Sequence, residues 1–109
     1  MTMSDRERWE ILLKTSSIVG GRNRVAIISR LFFKEEILSF NQLKKDLNVS
    51  SMSLSRDLKL LEAMKILRRE VNQEGPVRVT YTLTEDGRDL YSAFSQLEIW
   101  GQKHLNNKN

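Results

Sequence analysis

The 109-residue chain has no cysteine and one histidine, His104. Without cysteine there is no disulfide framework, thiolate zinc site, iron–sulfur cluster, cysteine nucleophile or thiol switch in these residues. With one histidine there is no His-rich metal site, and any Ser-His-Asp triad would have to use His104, which falls in the last turns of an expected helix and complements its C-terminus or an interface. No apolar run approaches the roughly 18 residues that a membrane span requires. The opening residues Met1 to Arg8 lead into no signal-type apolar stretch, so the expected location is cytoplasmic. Repeats, linkers and low-complexity segments are also missing. One domain over 1–109 is expected, long enough to build a core without staples.

What is present is a modest basic surplus, 18 Lys+Arg against 14 Asp+Glu. It is not spread evenly. Residues 41–80 carry eight bases and five acids and residues 20–40 carry four and two, whereas 1–19 are balanced and 81–109 are slightly acidic. A basic centre between neutral ends is the first hint of an anionic partner.

Trp9, Leu12 and Leu13 recur at helical spacing behind Ser4-Asp5-Arg6-Glu7, which predicts an amphipathic helix ended by Gly20-Gly21. That pair lacks the strand and spacing of a phosphate-binding fingerprint and reads as a helix break. Val25, Ile28, Leu31 and Phe32 predict the buried stripe of a second helix from Arg22 to about Lys34, with Arg22, Arg24, Arg30 and Lys34 on the solvent face. After the short apolar patch Ile37-Leu38, Ser39-Phe40-Asn41-Gln42 has the form of a capping box. The third helix is expected over about Phe40–Leu47, burying Phe40, Leu43 and Leu47. Asn48-Val49-Ser50 is a turn, and Ser50 or Ser51 caps a fourth helix whose Leu54, Leu58 and Leu61 fall four and three apart. Two helices joined by about three residues form a helix-turn-helix.

Beyond this point the period changes from 3.6 to 2. Leu67–Asn72 and Val77–Leu83 are expected strands of a hairpin around Gln73-Glu74-Gly75-Pro76. Thr84 is expected to cap one long final helix, with Glu85 and Asp86 in its first turn and Leu90, Phe94, Leu97, Trp100 and Leu105 on its apolar side. The tail Asn106 to Asn109 is expected to fray. The paired carboxylates Glu35-Glu36 and Glu85-Asp86 sit at helix ends, where solvation and dipole pairing account for them better than acid–base chemistry. The fold class is therefore mainly α with a small β-hairpin wing: a winged helix-turn-helix with an added N-terminal helix and a long C-terminal dimerisation helix.

The run from Gly75 to Leu90, Gly75-Pro76-Val77-Arg78-Val79-Thr80-Tyr81-Thr82-Leu83-Thr84-Glu85-Asp86-Gly87-Arg88-Asp89-Leu90, closely resembles the wing-to-helix segment of HxlR-type transcriptional regulators, relatives of the MarR winged-helix proteins. Val19-Gly20-Gly21-Arg22, Ser39-Phe40-Asn41-Gln42-Leu43, the recognition-helix residues Leu54-Ser55, Leu58 and Leu61-Glu62, and the closing Trp100-Gly101 agree with that family in order. The resemblance spans about Trp9 to Leu105. It implies a homodimeric, sequence-specific regulator of double-stranded DNA, with repression by promoter occlusion, no cofactor and no catalytic activity. Three positions depart from the family pattern. Glu10 stands about where many members carry a sensing cysteine, polar Asn23 replaces the usual aromatic, and Lys65 replaces a usual glycine, a substitution that in a left-handed conformation costs on the order of 1 kcal/mol.

On the fourth helix, Met52, Arg56, Lys59 and Ala63 lie opposite the leucines, with Ser53 at the flank. Arg56 is suited to a bidentate contact with guanine, Ser50, Ser51 and Ser53 to phosphates or base edges, and Met52 to a thymine methyl. Arg69, Gln73 and Arg78 make the wing a candidate for a minor groove or adjacent phosphates. Arg22, Arg24, Lys44 and Lys45 are candidate phosphate contacts. The terminal helices, about 5–19 and 84–105, offer Trp9, Leu12, Leu13, Leu90, Tyr91, Phe94, Leu97 and Trp100 as a two-fold interface. Two rival readings are a winged-helix module for protein contact and a regulator gated by a small-molecule effector between the long helices.

Overall fold

The computed structural model describes residues 2–34, 37–76 and 78–105. The expectations for Glu35-Glu36, the Lys34 side chain, Val77 and the tail Asn106 to Asn109 lie outside the described residues. Helix α1 spans Asp5–Val19, opened by a capping box in which Ser4 Oγ accepts from the Glu7 amide at 3.1 Å and Glu7 Oε1 accepts from the Ser4 amide at 3.2 Å. Helix α2 spans Arg22–Lys34. Its buried stripe differs from the expected one: Ile27 is fully buried beside Ile28 and Leu31, while Val25 is exposed. The helix packs on α4 on one side and on β3 on another, so it buries two adjacent positions instead of a single narrow row.

Strand β1, Leu38–Ser39, was unexpected. It pairs with the middle of β3, Leu38 opposite Tyr81 and Ser39 opposite Thr80. Two residues carry no alternation to read, and their pairing partner lies some forty positions away. Ser39 then caps helix α3, Phe40–Leu47, with Gln42 completing the box at 3.1 and 2.8 Å. Only Leu43 of the three expected apolar residues is fully buried; Phe40 and Leu47 are half-buried. Asn48 turns the chain through a left-handed conformation, φ 53°, and Ser50 caps helix α4, Ser51–Ala63, by accepting from the Ser53 amide at 3.1 Å.

Helix α4 ends in a Schellman motif. The Ile66 amide bonds Leu61 O and the Lys65 amide bonds Glu62 O, both at 2.9 Å, with Lys65 left-handed at φ 60°. Lys65 thus adopts the conformation that a glycine would supply, and the buried pair Leu61 and Ile66 closes the motif. The wing follows as antiparallel strands β2, Leu67–Asn72, and β3, Arg78–Leu83, in a sheet of order β1-β3-β2.

The expected single final helix is broken in two. Thr84 caps the four-residue α5, Glu85–Arg88, accepting from the Gly87 amide at 3.0 Å while its hydroxyl donates to Lys65 O. The Leu90 amide then bonds Gly87 O at 3.1 Å, a tighter i→i−3 turn, and α6 runs over Tyr91–His104. The break arises because the first turn is tied to the α4–β2 corner: a Cβ on Gly87 would lie 2.2 Å from Ile66 O, so only glycine lets the chain pass that close.

One core joins these elements: Ile27, Ile28, Leu31, Leu38, Leu43, Leu54, Leu58, Leu61, Ile66, Leu67, Tyr81 and Leu83. Helices α1 and α6 contribute no fully buried residue to it. Leu90 and Phe94, expected in a two-fold interface, instead pack against this core, and Phe94 meets Phe32 edge-to-face at 5.5 Å. No described helix is long and apolar enough to cross a membrane.

Candidate nucleic-acid interface

The three buried leucines of α4 point its opposite face outward. Met52 is 73% exposed, and Arg56, Lys59, Ser50 and Ser51 are also exposed. No hydrogen bond or ion pair to another described residue engages Arg56 or Lys59. Ser50 uses its hydroxyl as the helix cap, and half-buried Ser53 receives a bond from Asn23 Nδ2 at 3.4 Å. These two serines therefore meet a ligand with part of their capacity already used.

Strand register decides what the wing adds. Arg69 sits opposite Tyr81, on the sheet face shared by Leu67 and Leu83, beyond the edge of the core. It consequently projects toward α4. A groove of about 790 Å³ lies between the start of α3, the outer side of α4 and the hairpin; Lys59, Arg69 and Arg78 line it, with Glu62 the single acid. A second concavity, about 550 Å³, runs over Phe40, Ser51, Met52, Ser55, Arg56 and Lys59. Lys59 belongs to both, so the recognition-helix and wing candidates form one continuous surface. Gln73 is exposed near the hairpin tip, where Gly75 takes φ 85°. Three cations around one carboxylate, with no internal partners among the described residues, suit a polyanion.

The phosphate candidates divide. Arg22 is exposed at the start of α2, and Lys44 and Lys45 are exposed in the last turn of α3. Arg24 is instead turned inward: it pairs with Asp57 at 2.8 Å and donates to Ile18 O at 2.6 Å and Ser17 O at 3.1 Å. Its guanidinium is committed to the fold and leaves the phosphate set. Ser55 and Asn41 line the groove and were missed; Ser55 precedes Lys59 by four residues, so the i, i+4 rule places both on one side of α4.

Of the interface candidates, Trp9, Leu12, Leu13, Tyr91, Leu97 and Trp100 are at least half exposed, Leu97 at 69% and Leu12 at 66%. Tyr91 contacts Phe32 edge-to-face at 5.4 Å, and the Trp100 and His104 rings lie 4.7 Å apart. Tyr91 also borders a cleft of about 400 Å³ with Phe32, Phe33 and Arg88, at the junction of α2 and α6 and not between α1 and α6. Among the described residues no group of His, Cys, Asp or Glu is placed to hold a metal ion.

The helix pair α3–α4, the three-stranded sheet and its hairpin define a winged helix-turn-helix protein. The family model described as HxlR-like helix-turn-helix matches residues 18–109, and the chain belongs to that family of transcriptional regulators. It is 32% identical over 103 residues to an uncharacterised HTH-type transcriptional regulator of Mycobacterium tuberculosis, covering 94% of this chain. The chain spans only 64% of that relative's length. A regulator of Halalkalibacterium halodurans is 32% identical over 94 residues, covering 85% of this chain and 82% of the relative. Among solved structures, a MarR-family transcriptional regulator of Enterococcus faecalis superposes with a TM-score of 0.81 at 28% identity, covering 99% of this chain and 94% of that one. The reduced form of the regulator YodB of Bacillus subtilis superposes with a TM-score of 0.77 at 29% identity, covering 94% and 95%.

Proposed function

We propose that the protein is a cytoplasmic homodimer that binds double-stranded DNA in a sequence-specific manner and represses transcription by occupying a promoter. The observation that carries this reading is the continuous cationic surface in which Lys59 joins the outer face of α4 to the wing. Helix α4 enters the major groove. Arg56 forks to guanine O6 and N7, a contact worth about 1–3 kcal/mol of discrimination, and Met52 packs on a thymine methyl. Arg69, Gln73 and Arg78 lie along the neighbouring phosphates or minor groove, with Arg22, Lys44 and Lys45 on the backbone.

The dimer is supported by α1 and α6, two helices with no fully buried residue and a run of exposed Trp and Leu side chains that a second copy would cover. Two α4 helices then read half-sites roughly 34 Å apart. No enzymatic role is assigned: the only histidine, His104, lies against Trp100 on α6 and is not among the residues that line the groove, where Glu62 is the single acid. Because these residues contain no cysteine, any signal they receive is not thiol oxidation.

The test is a mobility shift of the purified protein on genomic fragments at several salt concentrations. A discrete shift is expected, with affinity falling steeply with salt as phosphate contacts release counterions. No shift, or a salt-independent one, favours the rival in which the basic face is incidental to protein contact.

A further inference from the structure

The Arg24 guanidinium is engaged by acceptors within the fold, and these bonds link three helices. Arg24 lies on α2, three residues after Gly21, and its guanidinium reaches in two directions. Nη1 pairs with Asp57 of α4 at 2.8 Å; Nε and Nη2 donate to Ile18 O and Ser17 O, carbonyls of the last turn of α1, at 2.6 and 3.1 Å. That turn has no basic residue of its own, so Arg24 supplies from the next helix the cation that the carbonyl end favours. Both side chains are largely withdrawn from solvent, 21% and 13% exposed. Gly21 leaves the room: a Cβ there would stand 2.9 Å from Nη2.

A sheltered ion pair is poor evidence for stability, since desolvation offsets most of its attraction. What a planar fork held by three acceptors does provide is fixed geometry. Here it fixes α4 against the end of α1, and Asn23 Nδ2 on Ser53 adds a second tie from α2 to α4.

We propose that Arg24 is a positioning residue that sets the placement of the recognition helix relative to α1, and through α1 the separation of the two recognition helices in the dimer. This rests on the DNA-binding dimer proposed above. One base pair inserted between half-sites displaces them by about 3.4 Å and turns them by about 35°. A rigid link between interface helix and recognition helix would reject such a change, whereas a loosened one would tolerate it.

The experiment uses a duplex selected by the wild-type protein from a random-sequence pool, then remade with one base pair inserted or removed between its half-sites, and as an isolated half-site. If no duplex is selected, the DNA-binding reading fails, independently of Arg24. The wild type is expected to prefer its selected spacing by tenfold or more. In Arg24→Lys, which keeps the charge and loses the fork, and in Asp57→Asn, which keeps an acceptor and loses the ion pair, the preference should fall to threefold or less, with half-site affinity within twofold of wild type. Preservation of the tenfold preference overturns the proposal even if both variants melt earlier. Equal loss of affinity on every duplex, half-site included, also overturns it, because it marks a merely structural role. If Arg24→Lys fails to fold, Asp57→Asn decides alone.

Discussion

Replacing Lys65 by glycine should stabilise the protein. Lys65 occupies the left-handed position of the Schellman motif at the end of α4, φ 60°, and its carbonyl receives the Thr84 hydroxyl at 2.5 Å, so the turn is held from both sides. A non-glycine residue in that conformation costs roughly 1–2 kcal/mol. Glycine removes that cost but gives the unfolded chain more freedom, which returns about 0.5–1 kcal/mol. The net expectation for Lys65→Gly is a gain of about 0.5–1 kcal/mol, or roughly 2–4 °C in Tm for a chain of this size. Lys65→Ala is the control, since it removes the exposed side chain and keeps the strained backbone; it should stay within about 0.5 kcal/mol of wild type. Thermal and urea unfolding at one fixed protein concentration read both, a condition needed if the protein is a dimer. A glycine variant no more stable than the alanine variant would refute the strain assigned to this turn.

Further outcomes follow from the core and the terminal helices. Leu58 is buried in the centre of α4, and Leu58→Ala should cost about 2–5 kcal/mol in unfolding free energy; a loss below 1 kcal/mol would mean that α4 is not anchored there. Leu97→Asp, at an exposed position of α6, should leave the fold intact and shift sedimentation from dimer to monomer; an unchanged dimer would remove α6 from the interface. On such a monomeric variant the salt slope of DNA binding should fall by about half, as half the phosphate contacts are lost, and an unaltered slope would count against two-fold binding.

The elements written in local chemistry were legible from residue order. The capping box at Ser39 and Gln42 lies within one turn, and the structure keeps α3 at Phe40–Leu47. The leucines of α4 likewise announce which side is buried. What was not legible depends on partners far along the chain. Strand β1 exists because Leu38 and Ser39 meet β3 some forty residues later, and the α5–α6 break exists because Gly87 passes against Ile66. Leu90 and Phe94 carry the helical spacing of an interface stripe, yet both are half-buried against the core. Arg24 looked like surface charge because its partner, Asp57, is 33 residues away. The candidate surface itself was largely legible, since Met52, Arg56 and Lys59 follow from the helical wheel. Only register could show that Arg69 faces the same groove as Lys59.

The central claim is that the outer face of α4 reads base sequence, and the affinity of wild type and Arg56→Ala for a selected duplex and a scrambled one at physiological salt tests it most directly. The wild type should favour the selected duplex by about a thousandfold or more. Arg56→Ala should lose about 1–3 kcal/mol on that duplex and almost nothing on the scrambled one. Equal losses on both would reassign Arg56 to the phosphate backbone, and a wild type that binds both duplexes equally would contradict sequence reading by α4 altogether.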